Sequence, residues 1–247
     1  MTLVLHHAWA STCSQKVRLA LAEKRLEYGG RVLNLRRFEH LSPEFLALNP
    51  DGLVPVLVHD GFVLRDSTAI NEYLDDAFPE PRLRPRDPIG RARVGMWTRF
   101  IDEVPTQAIK YPSFQRNLGP AIRNYSDGEL EVALARMPSR ETAARWRSAA
   151  REGIPHERLA EADRQLRLTL ERMEAALERS AWLAGDAYTL ADANMTPFVH
   201  RMASFPEYAL ARWPRVADWY ARVQARASFA AARLVEQKKT LDQAPGA

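Results

Sequence analysis

Between Leu53 and Leu74 the chain reads LVPVLVHDGFVLRDSTAINEYL, and this stretch restricts the fold more than any other. Two short apolar runs, Val54–Val58 and Phe62–Arg65, flank His59-Asp60-Gly61. Asp-Gly between β-branched runs is a hairpin signal, because the tight turn needs positive φ. Asp66-Ser67 falls where the second strand passes into a helix, the place for an N-cap and for backbone N–H groups open to an anion. Pro55 removes a ladder donor, so it marks a sheet edge or a bulge, often with a cis bond. The backbone of Val54 is then left to pair with something outside the sheet. The stretch predicts an edge for a peptide-like ligand and, one hairpin later, a helix N-terminus for a carboxylate.

The flanking sequence extends this into a small mixed domain. Leu3–His7 is a short apolar strand, and Ser14 to about Lys24 places apolar residues at Val17, Leu19, Leu21 and Ala22 as a helix would. Leu26–Leu35 reads as a second strand interrupted by Gly29-Gly30, and a short helix from Ser42 stops at Asn49-Pro50. The order βαβαββα suits an α/β sheet with helices on both faces. Phe78–Pro88 carries four of the chain's 16 prolines and no usable period, so it reads as a linker. Everything beyond it reads as all-α: a helix over Ile89–Ala108 with Val94, Trp97, Ile101 and Val104 on one face, and a long one over Leu159–Ser180. Thr189-Leu-Ala-Asp192 is a capping box, for which a structural role is expected. The expected domains are residues 1–80 and 89–247, joined by 81–88, with frayed ends after about Leu234.

Bulk properties exclude several classes. No run of 18 apolar residues is present, so no membrane span is expected, and MTLVLHHAWAS lacks the basic start of a secretory signal. A single cysteine excludes an internal disulfide and fits a reducing, cytoplasmic setting. The net charge of +4 comes mostly from arginines interleaved with acids, which reads as solvated helix faces rather than a nucleic-acid surface. No residues have metal spacing, and His6 and His7 read as strand residues.

The pattern V-P-x-L, hairpin, acidic residue and Ser before A-I-x-E-Y-L resembles the thioredoxin-like N-terminal domain of the cytosolic glutathione S-transferase superfamily. W-A-S-T-C-S-Q-K-V-R-L-A-L-A-E-K, Asn49-Pro50 and L-A-G-D-x-Y-T-L-A-D at Leu183–Asp192 follow in the family's order, so the resemblance covers most of the chain. It implies a thioredoxin-like α/β domain with an all-α second domain, a homodimer, and glutathione as co-substrate without a metal. The segment 118–158 is unusual for the superfamily and resembles that of the bacterial β-aryl etherases. S-T-C-S resembles the zeta class, and W-A-S the tau class.

The resemblance also implies roles. Free glutathione's thiol titrates roughly as model thiols do, near 8.5, and lowering that by about two units requires roughly 2.7 kcal/mol of preference for the thiolate. A hydroxyl at a helix N-terminus supplies that order of energy. The candidates are Ser11, pointed to by the zeta and tau patterns, and Ser14, by the β-etherase branch; either could instead only cap the helix. Cys13 is a candidate for a mixed disulfide with glutathione or, more simply, a small buried side chain. Asp66 would face the γ-glutamyl ammonium, Ser67 its carboxylate, and Val54, beside Pro55, the cysteinyl backbone. His40 is a candidate for the glycyl carboxylate or just a solvated loop residue. Leu53 stands where relatives carry a polar side chain. Trp9, Trp97, Phe100 and Tyr111 are candidate walls for a small hydrophobic electrophile, or core. The expected reaction is thiolate attack on carbon, as β-aryl ether cleavage first and as zeta-like isomerisation or reductive dehalogenation second. The rival is a non-catalytic adaptor that binds a protein partner.

Overall fold

The computed structural model describes residues 2–234. The fraying expected after Leu234 lies outside the described residues. Four strands form one sheet in the order β2-β1-β3-β4: β1 Leu3–His7, β2 Gly29–Val32, β3 Val56–His59 and β4 Phe62–Arg65. β2 runs parallel to β1, and β3 is antiparallel to both β1 and β4. The two glycines expected to interrupt β2 are its first half. It is a short, exposed edge strand, and such an edge needs no side chain for the core. β3 starts two residues later than the apolar run, because Pro55 has no N–H for the ladder.

Three helices complete this layer: α1 Thr12–Glu23, α2 Pro43–Leu48 and α3 Ser67–Ala77. Leu3, Leu5 and Leu57 alternate inward from the sheet onto Val17, Leu21, Ile70 and Leu74, forming one buried cluster. After the proline-rich stretch come α4 Pro88–Glu103, α5 Pro105–Ala108 and α6 Lys110–Ser113, then a π-helical turn at Phe114–Leu118. The expected single helix over Ile89–Ala108 is therefore broken. Pro105 supplies no N–H and disfavours helical backbone at Val104, which sits at φ −110° and ψ −79°.

The inserted segment folds as α7 Gly119–Ile122, α8 Asp127–Leu134 and α9 Arg140–Arg151. α8 starts on a full capping box between Ser126 and Glu129. These helices bury Ile122, Leu130, Leu134 and Trp146 against Phe38 and Leu41, making a second core on the loop after β2. The remainder is α10 His156–Leu177, α11 Leu190–Ala203, α12 Pro214–Gln224 and α13 Ala227–Ala231. α11 is buried along nearly its whole length and packs on α1, α3 and α4, so both layers share one continuous core.

Candidate active site

Strand register gathers the expected site at one end of the sheet. His6 pairs with Val56, and Val56 with Arg65. One step further along each strand lie His7, Pro55 and Asp66, so the turn after β1, the start of β3 and the end of β4 all emerge side by side. The first turns of α1 and α3 open at this same end. Two helix N-termini there place several free N–H groups and positive partial charge on one patch.

At the first of these, Ser11 is the N-cap of α1; its Oγ accepts the N–H of Ser14 at 3.2 Å and it remains partly exposed. Its hydroxyl proton is left to donate outward. Ser14 is wholly buried, and its Oγ accepts the N–H of Ala8 at 3.3 Å. Its place is beneath the turn rather than at its mouth. Cys13 is a free, partly exposed thiol between them. The turn is braced from the helical domain: the Arg201 guanidinium on α11 donates to the Ala10 carbonyl at 2.7 Å and to Ser113 Oγ at 3.1 Å. Burial pulls Arg201 down to about 10.

At the second, Asp66 caps α3 from a positive φ of 66°, its Oδ1 accepting the N–H groups of Thr68 and Ala69, each at 2.9 Å. One carboxylate oxygen is thus committed to the helix. Ser67 is buried at the first helical position, and Leu53 is 58% exposed just before Val54. Asn49 Nδ2 donates to the Leu53 carbonyl at 2.8 Å and fixes that approach. Beneath the cap, fully buried Lys16 on α1 donates to Thr68 Oγ1 at 2.8 Å and pairs with Asp102 of α4 at 2.9 Å. One ammonium ties the two site helices to the helical domain.

Three of the candidate residues, His40, Trp97 and Phe100, are buried. His40 is not a solvated loop residue: it is 6% exposed, stacked against Phe38 and Trp146, which also touch each other, and burial holds its imidazole down at about 4. A neutral, covered ring there offers no cation to a carboxylate. Trp97 and Phe100 are each only 8% exposed, in the core, with Arg172 of α10 over both rings. They face α10 as core, because an apolar helix face packs first against its own domain. Trp9 is partly exposed and held between Arg18 and Arg233 and edge-on to His7. Tyr111 on α6 stays half-buried under Arg145. His6 and His7 are strand residues in β1, and burial beside Arg18 lowers His7 to about 4. Among the described residues no group of three or more His, Cys, Asp or Glu is placed to hold a metal ion, and no helix is long and apolar enough to cross a membrane.

Sequence reasoning missed Lys16 and Arg201, whose partners lie far along the chain, 191 residues away in the case of Arg201 and Ala10. Lone basic residues in a chain rich in arginine carry no local signal for such roles.

Comparison with known proteins agrees with this geometry. The family model "Glutathione S-transferase, N-terminal domain" matches residues 10–77, and "Glutathione S-transferase, C-terminal domain" matches residues 131–227. The chain is 36% identical to Protein LigF of Sphingobium sp. over 78% of its own length and 76% of that protein's. The crystal structure of the beta-etherase LigF superposes with a TM-score of 0.89, covering 94% of this chain and 99% of that one at 32% identity. A maleylacetoacetate isomerase of Pseudomonas aeruginosa is 31% identical over 86% of both chains. FtsZ-localized protein A of Caulobacter vibrioides is 28% identical over 91% of this chain and 88% of its own. With the thioredoxin-like sheet, the helical second domain and these matches, the chain belongs to the glutathione S-transferase family and is a glutathione-dependent transferase.

Proposed function

We propose that the chain cleaves β-aryl ethers with glutathione. The observation that carries this reading is the likeness to the beta-etherase LigF, over nearly the whole of both chains at a TM-score of 0.89. Glutathione lies along the sheet end, its cysteinyl backbone paired with Val54. Its γ-glutamyl carboxylate meets the Ser67 hydroxyl and amide, and its ammonium meets the uncommitted oxygen of Asp66. Ser11 donates to the thiolate. Its partly exposed cap position supports this choice over Ser14, whose hydroxyl is buried under the turn. The thiolate attacks the carbon bearing the aryloxy group; the C–S bond forms as the C–O bond breaks, and its electron pair leaves on the aryloxide. The products are a glutathione thioether and a phenol, in equal amounts. The protein acts as a dimer in the cytoplasm.

Maleyl isomerisation is the second reading, supported by the 31% identical isomerase. The test is product analysis by mass after incubation with glutathione and a β-aryl ether ketone, with a maleyl compound in parallel. Stoichiometric thioether and phenol are expected; isomerisation without ether cleavage would replace this reading by the second. Absence of glutathione binding at millimolar concentration would favour the adaptor reading.

A further inference from the structure

The helical domain holds two neighbouring cations, Lys110 and Arg145, that the glutathione contacts do not use, and Lys110 is the one within electrostatic range of Cys13. α6 is held close to the turn after β1, since Arg201 bridges Ser113 on α6 and the Ala10 carbonyl. Lys110, at the start of α6, is half-buried and lies within electrostatic range of Cys13, Arg145 and Glu141. Its ammonium has one neutral acceptor, Gln107 Oε1 at 2.7 Å. Arg145, on α9 of the inserted segment, lies over the Phe114 ring at 5.3 Å and the Tyr111 ring at 6.0 Å. Its Nη2 makes only a long contact to Thr142 Oγ1 at 3.4 Å, and its buried Nε has no hydrogen-bond partner.

Two other cations of the insertion are paired, Arg147 with Glu131 and Arg151 with Asp127. Lys110 and Arg145, by contrast, depend on each other's neighbourhood, and like charges repel. Burial and Arg145 lower the Lys110 ammonium's pKa, against weaker raising by Cys13 and Glu141. Two such cations beside two aromatic rings favour an anion carried on an aryl group. The rings take the aryl face and the N–H donors take the charge.

We propose that Lys110 and Arg145 form a subsite for an aryl-bound anion, and that in ether cleavage it receives the aryloxide oxygen. The reaction half of this rests on the β-etherase reading; the subsite itself does not. As the C–O bond breaks, the electron pair passes to the aryloxide oxygen, which the two cations hold until it takes a proton from water. Charge that develops late in the transition state is where fixed donors contribute to rate.

The test uses the full chain with glutathione and the variants Lys110→Met and Arg145→Met. Its first arm is calorimetric binding of 4-nitrophenolate against neutral nitrobenzene, which needs no turnover. Its second arm is cleavage of aryl ether ketones whose phenols span a range of acidity. Wild type is expected to prefer the phenolate by about tenfold or more, and each variant to lose most of that preference. Cleavage should slow by about tenfold for the least acidic phenol and much less for nitrophenol, with the bound thiol's pKa unchanged. Equal binding of phenolate and nitrobenzene by wild type overturns the subsite, even if ethers are cleaved. A shifted thiol pKa with losses independent of the leaving group also overturns it, since the cations would then serve the thiolate. Phenolate preference without any ether cleavage keeps the subsite and discards the β-etherase reading. Arg145→Lys, which keeps the charge and guards against a folding artefact, should restore part of the preference.

Discussion

Asp66 and Asp192 each satisfy the first turn of a helix, yet in opposite surroundings. Asp66 is exposed at the end of the sheet where α1 and α3 open, and gives one oxygen to Thr68 and Ala69. Asp192 is wholly buried in the helical domain. Its carboxylate accepts from the N–H of Leu183, the N–H and Oγ of Thr189, and Trp219 Nε1 at 2.9–3.2 Å. Burial still raises the Asp192 pKa against those donors. The same capping chemistry serves the fold where every lone pair is used inside the protein, and is free to serve a ligand where one is not. Occupancy of the polar atoms, rather than residue type, separates the two regions.

The largest effect that follows is on stability. Asp192→Ala leaves three buried donors (the Leu183 and Thr189 amides and the Trp219 indole) without an acceptor, at about 1–3 kcal/mol each when isolated. A loss of about 3–5 kcal/mol in urea unfolding is expected, with glutathione affinity of the folded fraction within about twofold of wild type. A large loss of affinity in well-folded Asp192→Ala would erase the contrast with Asp66.

His40 belongs on the buried side of that contrast, so its signature is pH. Burial, helped by Arg136, holds its imidazole down at about 4, against an unperturbed 6.5. A histidine with a depressed folded value adds stability that is full above its unfolded pKa and is lost as pH falls through the folded one. Wild type should therefore weaken between about pH 6.5 and 4, and His40→Phe should flatten that slope by on the order of 2–3 kcal/mol. His7 is held near 4 as well, so part of the slope remains. An unchanged slope in His40→Phe would mean the ring is solvated in solution and still available to a ligand.

The exposed region was the more legible in sequence. Turn chemistry, the Asp66 cap and the strand limits Phe62–Arg65 are local, set by neighbours within a few residues. The Thr189–Asp192 box was equally local and equally legible. The misreadings concern what lies across the chain. Val94, Trp97, Ile101 and Val104 keep a helical period that passes over Pro105, since apolar spacing does not register a missing N–H. Trp97 and Phe100 could be assigned to cleft or core only once α10 brought Arg172 over them. His40 read as loop because Trp146, which covers it, comes from an insertion more than 100 residues later. Tyr125 of that insertion also donates to the Arg36 carbonyl at 3.1 Å, clamping the loop after β2.

On the ligand side, Ser11→Ala should cut activity near neutral pH by about ten- to a hundredfold while raising the bound thiol's pKa by about one to two units, each unit being about 1.4 kcal/mol. Thiolate absorbance against pH reads this directly. Ser14→Ala is expected to act chiefly on stability, because its hydroxyl satisfies the buried Ala8 amide. If Ser14→Ala moves the thiol titration and Ser11→Ala does not, the partly exposed cap is not the donor, and the rule that free valence marks the site fails at α1.

The finest test of the contrast is Asp66→Asn. Asparagine keeps an N-cap oxygen for Thr68 and Ala69 and tolerates the positive φ of 66° at this position, so stability should shift by less than about 0.5 kcal/mol. What it removes is charge. If the second oxygen of Asp66 faces the γ-glutamyl ammonium, glutathione affinity should fall by about 1 kcal/mol, roughly fivefold, because the ion pair is exposed to solvent and screened. The loss should shrink further at high salt, whereas a hydrogen bond to Ser67 would be far less sensitive. Calorimetric titration at low and high ionic strength separates the two. Unchanged affinity with unchanged stability would place Asp66 beside Asp192 as a cap alone, and leave ligand capture to the Ser67 hydroxyl and amide.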